Sequence, residues 1–212
     1  MNNKLKIALG LAFTAVTFNA SAQKVYKQGT ATYSVSNPMG EGTSKVYFTA
    51  DSNATLSQIG PANLKMLANS KGTYFAILVD VPIASIKRAA VATPDEIDQA
   101  VSEMPKFTFK STSETKTISG FNCKKVEVTD AKSGNNFTAW ITNDVSFPLT
   151  GLTKPFADAG GMPVQFTAIQ QGQKVDFTLK SIIDEKAPTG TFVIGPGFER
   201  VSLDELRSMG KR

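Results

Sequence analysis

Few side chains in this sequence are equipped for chemistry. The 212 residues include no histidine and one cysteine, Cys123. Without an imidazole there is no Ser-His or Cys-His dyad and no His-ligated metal, and one thiol cannot build a thiolate zinc site. Ser113-Glu-Thr-Lys116 matches the S-x-x-K box of acyl-transferring serine enzymes, and Lys132-Ser-Gly134 loosely resembles their K-T-G box. That chemistry needs the serine at a helix start and a long intervening domain, whereas Ser113 lies in strand-like Thr/Ser-rich sequence close before Lys132. Asp51-Ser-Asn53 opens like a calcium loop, but Leu56 stands where glycine is needed and the closing carboxylate is absent. An Asx-type turn accounts for it. Gly160-Gly161-Met-Pro163 and Gly195-Pro-Gly197 are turn signals that lack the lysine and following helix of a phosphate loop. The sequence therefore points to a non-enzymatic protein with no cofactor and no metal.

What remains is apolar surface and the elements that hold it. Beyond residue 22 the composition is largely strand-like, with short runs of Thr, Val, Phe, Tyr and Ile between turn residues. Ala31, Tyr33 and Val35 alternate with Thr30, Thr32 and Ser34, which gives the first strand one apolar face. Asn37–Gly42 reads as a turn and Lys45–Thr49 as the returning strand. Asn53–Asn69 is ambiguous and stays unassigned. Tyr74–Val79 is apolar on both parities, as in a strand covered on both sides. Ile118–Val128 and Asn136–Thr142 read as two strands joined by the turn-rich Asp130–Asn135. Val164, Phe166 and Ala168 pair in pattern with Val175, Phe177 and Leu179 across a turn at Gln170–Gln173, and Thr191–Ile194 reads as a final strand.

Phe121 and Cys123 share one parity, whereas Val126 and Val128 share the other. A bulge near Lys124-Lys125 would put all four on one face, as a curved sheet or open barrel requires; otherwise that strand is apolar on both faces. Cys123 reads as a small buried apolar residue.

Two helices carry start signals. Thr93 caps a helix whose first residue is Pro94, and Glu96 closes a capping box. Ile97, Ala100, Val101 and Met104 then form one apolar stripe, and Pro105 ends the element. The acidic residues of its first turn face the helix dipole, a structural role that needs no acid–base chemistry. The second helix begins at Ser202 with Glu205 as reciprocal partner, Val201 and Leu206 as a staple, and Gly210 as the stop. An amphipathic helix over a curved sheet can enclose an apolar cavity. Trp140, of opposite parity to Phe137, Ala139 and Ile141, is open to a ligand, a loop or water. The candidate ligand contacts are therefore Ile97, Val101, Met104 and Trp140.

The first 22 residues have the form of a secretory signal peptide: Lys4 and Lys6, an apolar run from Ile7 to Phe18, and Ala20-Ser21-Ala22 as cleavage site. The run is shorter than the roughly 20 residues a bilayer needs, so the mature chain is expected to have no membrane span. It begins at Gln23 rather than at a cysteine, which predicts no lipid anchor. The expected location is periplasmic or extracellular in a Gram-negative bacterium. Cys123 alone cannot form an internal disulfide, so one hydrophobic core must hold residues 23–212 as a single domain. Net charge is +5, falling to about +3 without the two leader lysines. The basic residues are scattered, which predicts no nucleic-acid partner.

Thr117-Ile-Ser-Gly-Phe-Asn-Cys-Lys-Lys125, Trp140-Ile-Thr142, Gly161-Met-Pro163, and the run from Thr191–Ile194 to Gly197-Phe198 resemble a secreted bacterial domain of unknown function. That domain is related to the GLPGLI family, from whose signature this chain departs at Gly160–Phe166. Both are similar to the lipoprotein-carrier (LolA/LolB-like) superfamily. The resemblance implies an open, half-closed β-barrel with helices over its mouth and supplies no catalytic residues.

Sequence and resemblance together predict a mainly β protein: a curved antiparallel sheet or half-open β-barrel with one covering amphipathic helix and a short C-terminal helix. Its expected function is to bind a lipid, an acyl chain or another hydrophobic ligand. The alternative is a module of the cell envelope that binds another protein, an outer-membrane protein among the partners.

Overall fold

The computed structural model describes residues 23–38, 40–170 and 173–209. The leader and the Gly210 stop lie outside the described residues. In chain order the first seven strands are β1 (Lys24–Val25), β2 (Gly29–Asn37), β3 (Gly40–Phe48), β4 (Ser52–Ile59), β5 (Ala62–Asn69), β6 (Phe75–Val81) and β7 (Ile86–Val91). Helix α1 (Pro94–Glu103) follows. Then come β8 (Phe107–Ile118), β9 (Phe121–Asp130), β10 (Asn136–Thr142), β11 (Val145–Ser146), β12 (Met162–Gln170), β13 (Gln173–Ile183), β14 (Glu199–Val201) and helix α2 (Leu203–Met209).

The described residues form a mainly β fold around one 12-stranded sheet, in the order β14-β7-β6-β5-β4-β3-β2-β13-β12-β10-β9-β8. Its neighbours are antiparallel except β14 and β7, which run parallel and carry the Glu199–Arg88 ion pair. The sheet does not close, and β8 and β14 are its two edges. β1 and β11 form a separate two-residue parallel pair.

The largest core fills one half of this sheet. Tyr33 of β2, Phe166 of β12 and Phe177 of β13 pack against one another. Phe156, from the segment between β11 and β12, lies 4.9 Å from Phe166 and 5.3 Å from Phe107 on the edge strand β8. Phe156 thus bridges β8 and β12 across the inner face of this half of the sheet. Phe147 stacks on Phe48 of β3 at 4.9 Å and covers the next stretch of the same face.

Toward the other end, β6 is covered on both faces. Ala76 and Leu78 of β6 are buried beneath Phe192, Ile194 and Phe198, which cross the back of the sheet. Ile77 and Val79, on the opposite face, pack against the α2 cluster of Leu203 and Leu206. This matches the pattern of a strand apolar on both parities. Lys65 Nζ holds the crossing segment by donating to the carbonyls of Gly190 (3.0 Å) and Val193 (3.1 Å).

Both helices start where the sequence predicts. The Glu96 amide donates to Thr93 Oγ1 at 3.3 Å and the Thr93 amide to Glu96 Oε2 at 2.7 Å, completing the capping box. At α2 the Glu205 amide donates to Ser202 Oγ at 3.1 Å, and Val201 joins Leu206 in one cluster.

Three local expectations are corrected. The run Ile118–Val128 is interrupted: Ser119 (φ 52°) and Gly120 (φ 86°) form a two-residue hairpin turn, and Ile118 ends β8 opposite Phe121. Positive φ at both central residues suits the twist of a tight hairpin, and glycine adopts it without strain. The irregularity expected near Lys124-Lys125 lies in the neighbouring pairings, between Ser111 and Thr115 of β8 and between Trp140 and Ile141 of β10. β9 pairs with β10 without interruption, so of the two readings of this strand the one apolar on both faces holds: Cys123 and Val126 are both buried although they differ in parity. The third correction concerns Thr191–Ile194, which forms a turn rather than a strand; its Phe192 and Ile194 pack on the back of the sheet.

Phe156 is 2% exposed and touches rings on β8 and β12. Phe156→Ala should lower the unfolding free energy by about 3–5 kcal/mol, measured by denaturant titration.

Candidate functional site

The filled core stops at β3. Phe48 and Val46 are buried, but their Cα partners on β4, Asn53 and Thr55, are not. Ser57 continues that row opposite Ser44. β5 extends the same face with Ala68, Met66 and Leu64, none of them buried. Over this floor lies a cavity of about 1580 Å³. Phe75, Ala92 and α1 wall one side, and Leu149, Leu152 and Phe156 another. Val175 and Phe177 of β13 close the side next to the core, and Leu203 and Arg207 of α2 border it as well.

Of the four residues singled out by sequence, three converge on this cavity. Ile97, Val101 and Met104 line it together with Ala100. No α1 side chain is buried, and Val101 is 50% exposed. The apolar stripe of α1 therefore faces open space rather than a packed core. A tie from the β9–β10 turn holds the helix: Lys132 Nζ donates to the Ser102 carbonyl at 2.6 Å. Trp140 lies elsewhere. It is half-buried on β10 beneath Lys116, whose Nζ stands 4.1 Å over the ring and donates to Gln165 Oε1 at 3.0 Å. It does not line the cavity.

The cavity floor escapes the sequence pattern. Asn53, Thr55 and Ser57 alternate with Ala54 and Leu56, but the polar parity faces the cavity while Ala54 is buried on the back. The alternation is present in the sequence; an inward polar face is the sign that would reveal it. The loop carrying Leu149 and Leu152 has no period and leaves no such sign.

Two carboxylates at the cavity, Glu96 and Asp130, are committed to structure. Glu96 is held below the usual carboxylate range chiefly by the Thr93 amide and hydroxyl. Asp130 is lowered by the Ser133 hydroxyl and the Lys132 amide. Lys154 and Lys174 also line the cavity. Cys123 is remote from it, and burial pushes its thiol up to about 11, which keeps it protonated at neutral pH. No group of three or more His, Cys, Asp or Glu able to hold a metal occurs among the described residues. None of the described helices is long and apolar enough to cross a membrane. Three carboxylates line the cavity: Glu96 serves the helix cap, Asp130 serves a turn, and Glu41 is exposed on β3.

No family model and no curated protein matches the chain. Solved structures that share its fold include the following two. That of PNGF-II is 16% identical with a TM-score of 0.53, covering 86% of this chain and 32% of that one. An uncharacterized conserved protein from Thermus thermophilus is 8% identical with a TM-score of 0.51, covering 84% of this chain and 91% of its own. The chain thus spans about a third of PNGF-II, and at these identities the likeness is one of fold.

Two outcomes follow from these placements. A thiol-alkylating reagent at pH 7 should leave Cys123 unmodified in the folded protein and label it in denaturant, read by mass spectrometry. Ile97→Asp should shift the unfolding free energy by no more than about 0.5 kcal/mol, because the side chain is not buried. The same substitution should weaken binding of a fluorescent fatty acid at least about tenfold, measured by titration.

Proposed function

We propose that this protein is an exported cell-envelope binding protein that holds a lipid or other hydrophobic ligand between its sheet and α1. The observation that carries this reading is the unburied apolar stripe of α1 lining a cavity of about 1580 Å³. Apolar surface gains roughly 25 cal/mol per Å² when removed from water. A folded helix normally realises that gain against its own core. Here Ile97, Val101 and Met104 can realise it only against something that enters the cavity. The volume exceeds the roughly 300–1,000 Å³ of ordinary small-molecule pockets, so an extended or bulky ligand is favoured over a small one.

The leader sequence supports export, and the resemblance of the sequence motifs to lipoprotein carriers supports an acyl-chain ligand. The alternative of a module that binds another protein draws on the open edge β8. That edge carries Lys110, Glu114 and Lys116 together with an irregular pairing at Ser111–Thr115, features that discourage strand addition.

Protein purified from its native envelope without detergent should carry a stoichiometric acyl-chain compound, identified by native mass spectrometry and solvent extraction. A clean apo mass, together with no uptake of added fatty acid, would contradict the reading and favour the alternative.

A further inference from the structure

The cavity floor is amphipathic, and its polar part is ordered. Asn53, Thr55 and Ser57 stand at every second residue of β4, so they share one face and are spaced roughly 7 Å apart over about 14 Å. On one side this row meets the buried Phe48 and Val46 of β3 and Ser44 beyond them. On the other it meets Ala68, Met66 and Leu64 of β5. The apolar stripe of α1 lines the same cavity.

Ser57 donates to Ser44 Oγ at 2.9 Å. The Asn53 amide and the Thr55 hydroxyl make no side-chain hydrogen bond to any described residue, yet both line the cavity. Polar groups turned to the inner face of a sheet are satisfied by protein, by water or by a ligand. A cavity meant only for a plain alkyl chain would gain from apolar side chains at these positions, as β5 and α1 supply.

We propose, resting on the ligand-binding reading above, that the cavity selects a facially amphipathic ligand. Such a molecule is apolar along the edge that meets α1 and β5, and carries several hydrogen-bonding groups along the edge that meets Asn53, Thr55 and Ser57. A fatty acid, with one polar end, would engage this row at a single point.

The discriminating probes are cholate, which has three hydroxyls on one face of a rigid apolar skeleton, and 5β-cholanate, which shares the skeleton and carboxylate but lacks the hydroxyls. Dodecanoate serves as the plain-chain control. Calorimetric titration should show cholate binding at least about tenfold more tightly than 5β-cholanate, the equivalent of one or two net hydrogen bonds. Thr55→Val, which keeps the β-branched shape, should reduce that ratio severalfold by weakening cholate without weakening 5β-cholanate or dodecanoate. Asn53→Val provides an independent variant, and thermal melting checks that each remains folded. Equal affinity for the two steroids, or a ratio that both variants leave intact, overturns the proposal. If dodecanoate binds and neither steroid does, the amphipathic ligand is wrong and the cavity reading stands; if no probe binds, both fall.

Discussion

An antiparallel sheet gains stability wherever its apolar side chains are covered and can leave the rest of a face open, and the chain covers this one unevenly. At the β8–β13 end, Phe156 and Phe147 plug the inner face and turn it into a packed core. At the β6–β7 end, α2 covers the inner face and the Phe192–Phe198 segment covers the back. Between these plugs, β4 and β5 are covered on the back but not on the inside. The cavity is the part of the inner face that neither plug reaches, and α1 spans it without filling it.

That division explains the character of α1. Its sequence carries a complete capping box, an apolar stripe and a proline stop, local signals that fix where it begins and ends. It contributes no buried side chain. A helix specified locally and left unburied on its apolar side is suited to cover a ligand, because core packing does not fix its position. The Lys132 tie to Ser102 and the flanking Thr93 and Pro105 keep it over the floor.

The elements with strong local chemistry are legible in the sequence. Both helix starts, the hairpin of Val164–Ala168 with Val175–Leu179, and the two-sided burial of β6 follow from capping residues and apolar period alone. The turn at Ser119-Gly120 is hidden, because Ile118 and Phe121 continue an apolar run across it. Asn53–Asn69 resists assignment for the reason that makes it interesting: β4 turns its polar side chains inward, so the usual rule of apolar inside and polar outside fails there. Trp140 stands out by its parity, which does set it apart from Phe137 and Ala139, but the face it occupies is covered by Lys116 and does not reach the cavity.

The central claim is that one ligand sits between the β5 floor and α1. Methyl NMR on the delipidated protein tests it directly, because Met66 of β5 and Met104 at the end of α1 both line the cavity while Met162 is buried in the core. On addition of dodecanoate, the Met66 and Met104 methyls should both show intermolecular NOEs to the same alkyl chain, and Met162 should show none. Saturating dodecanoate that leaves the Met66 and Met104 methyls without such contacts would contradict the account.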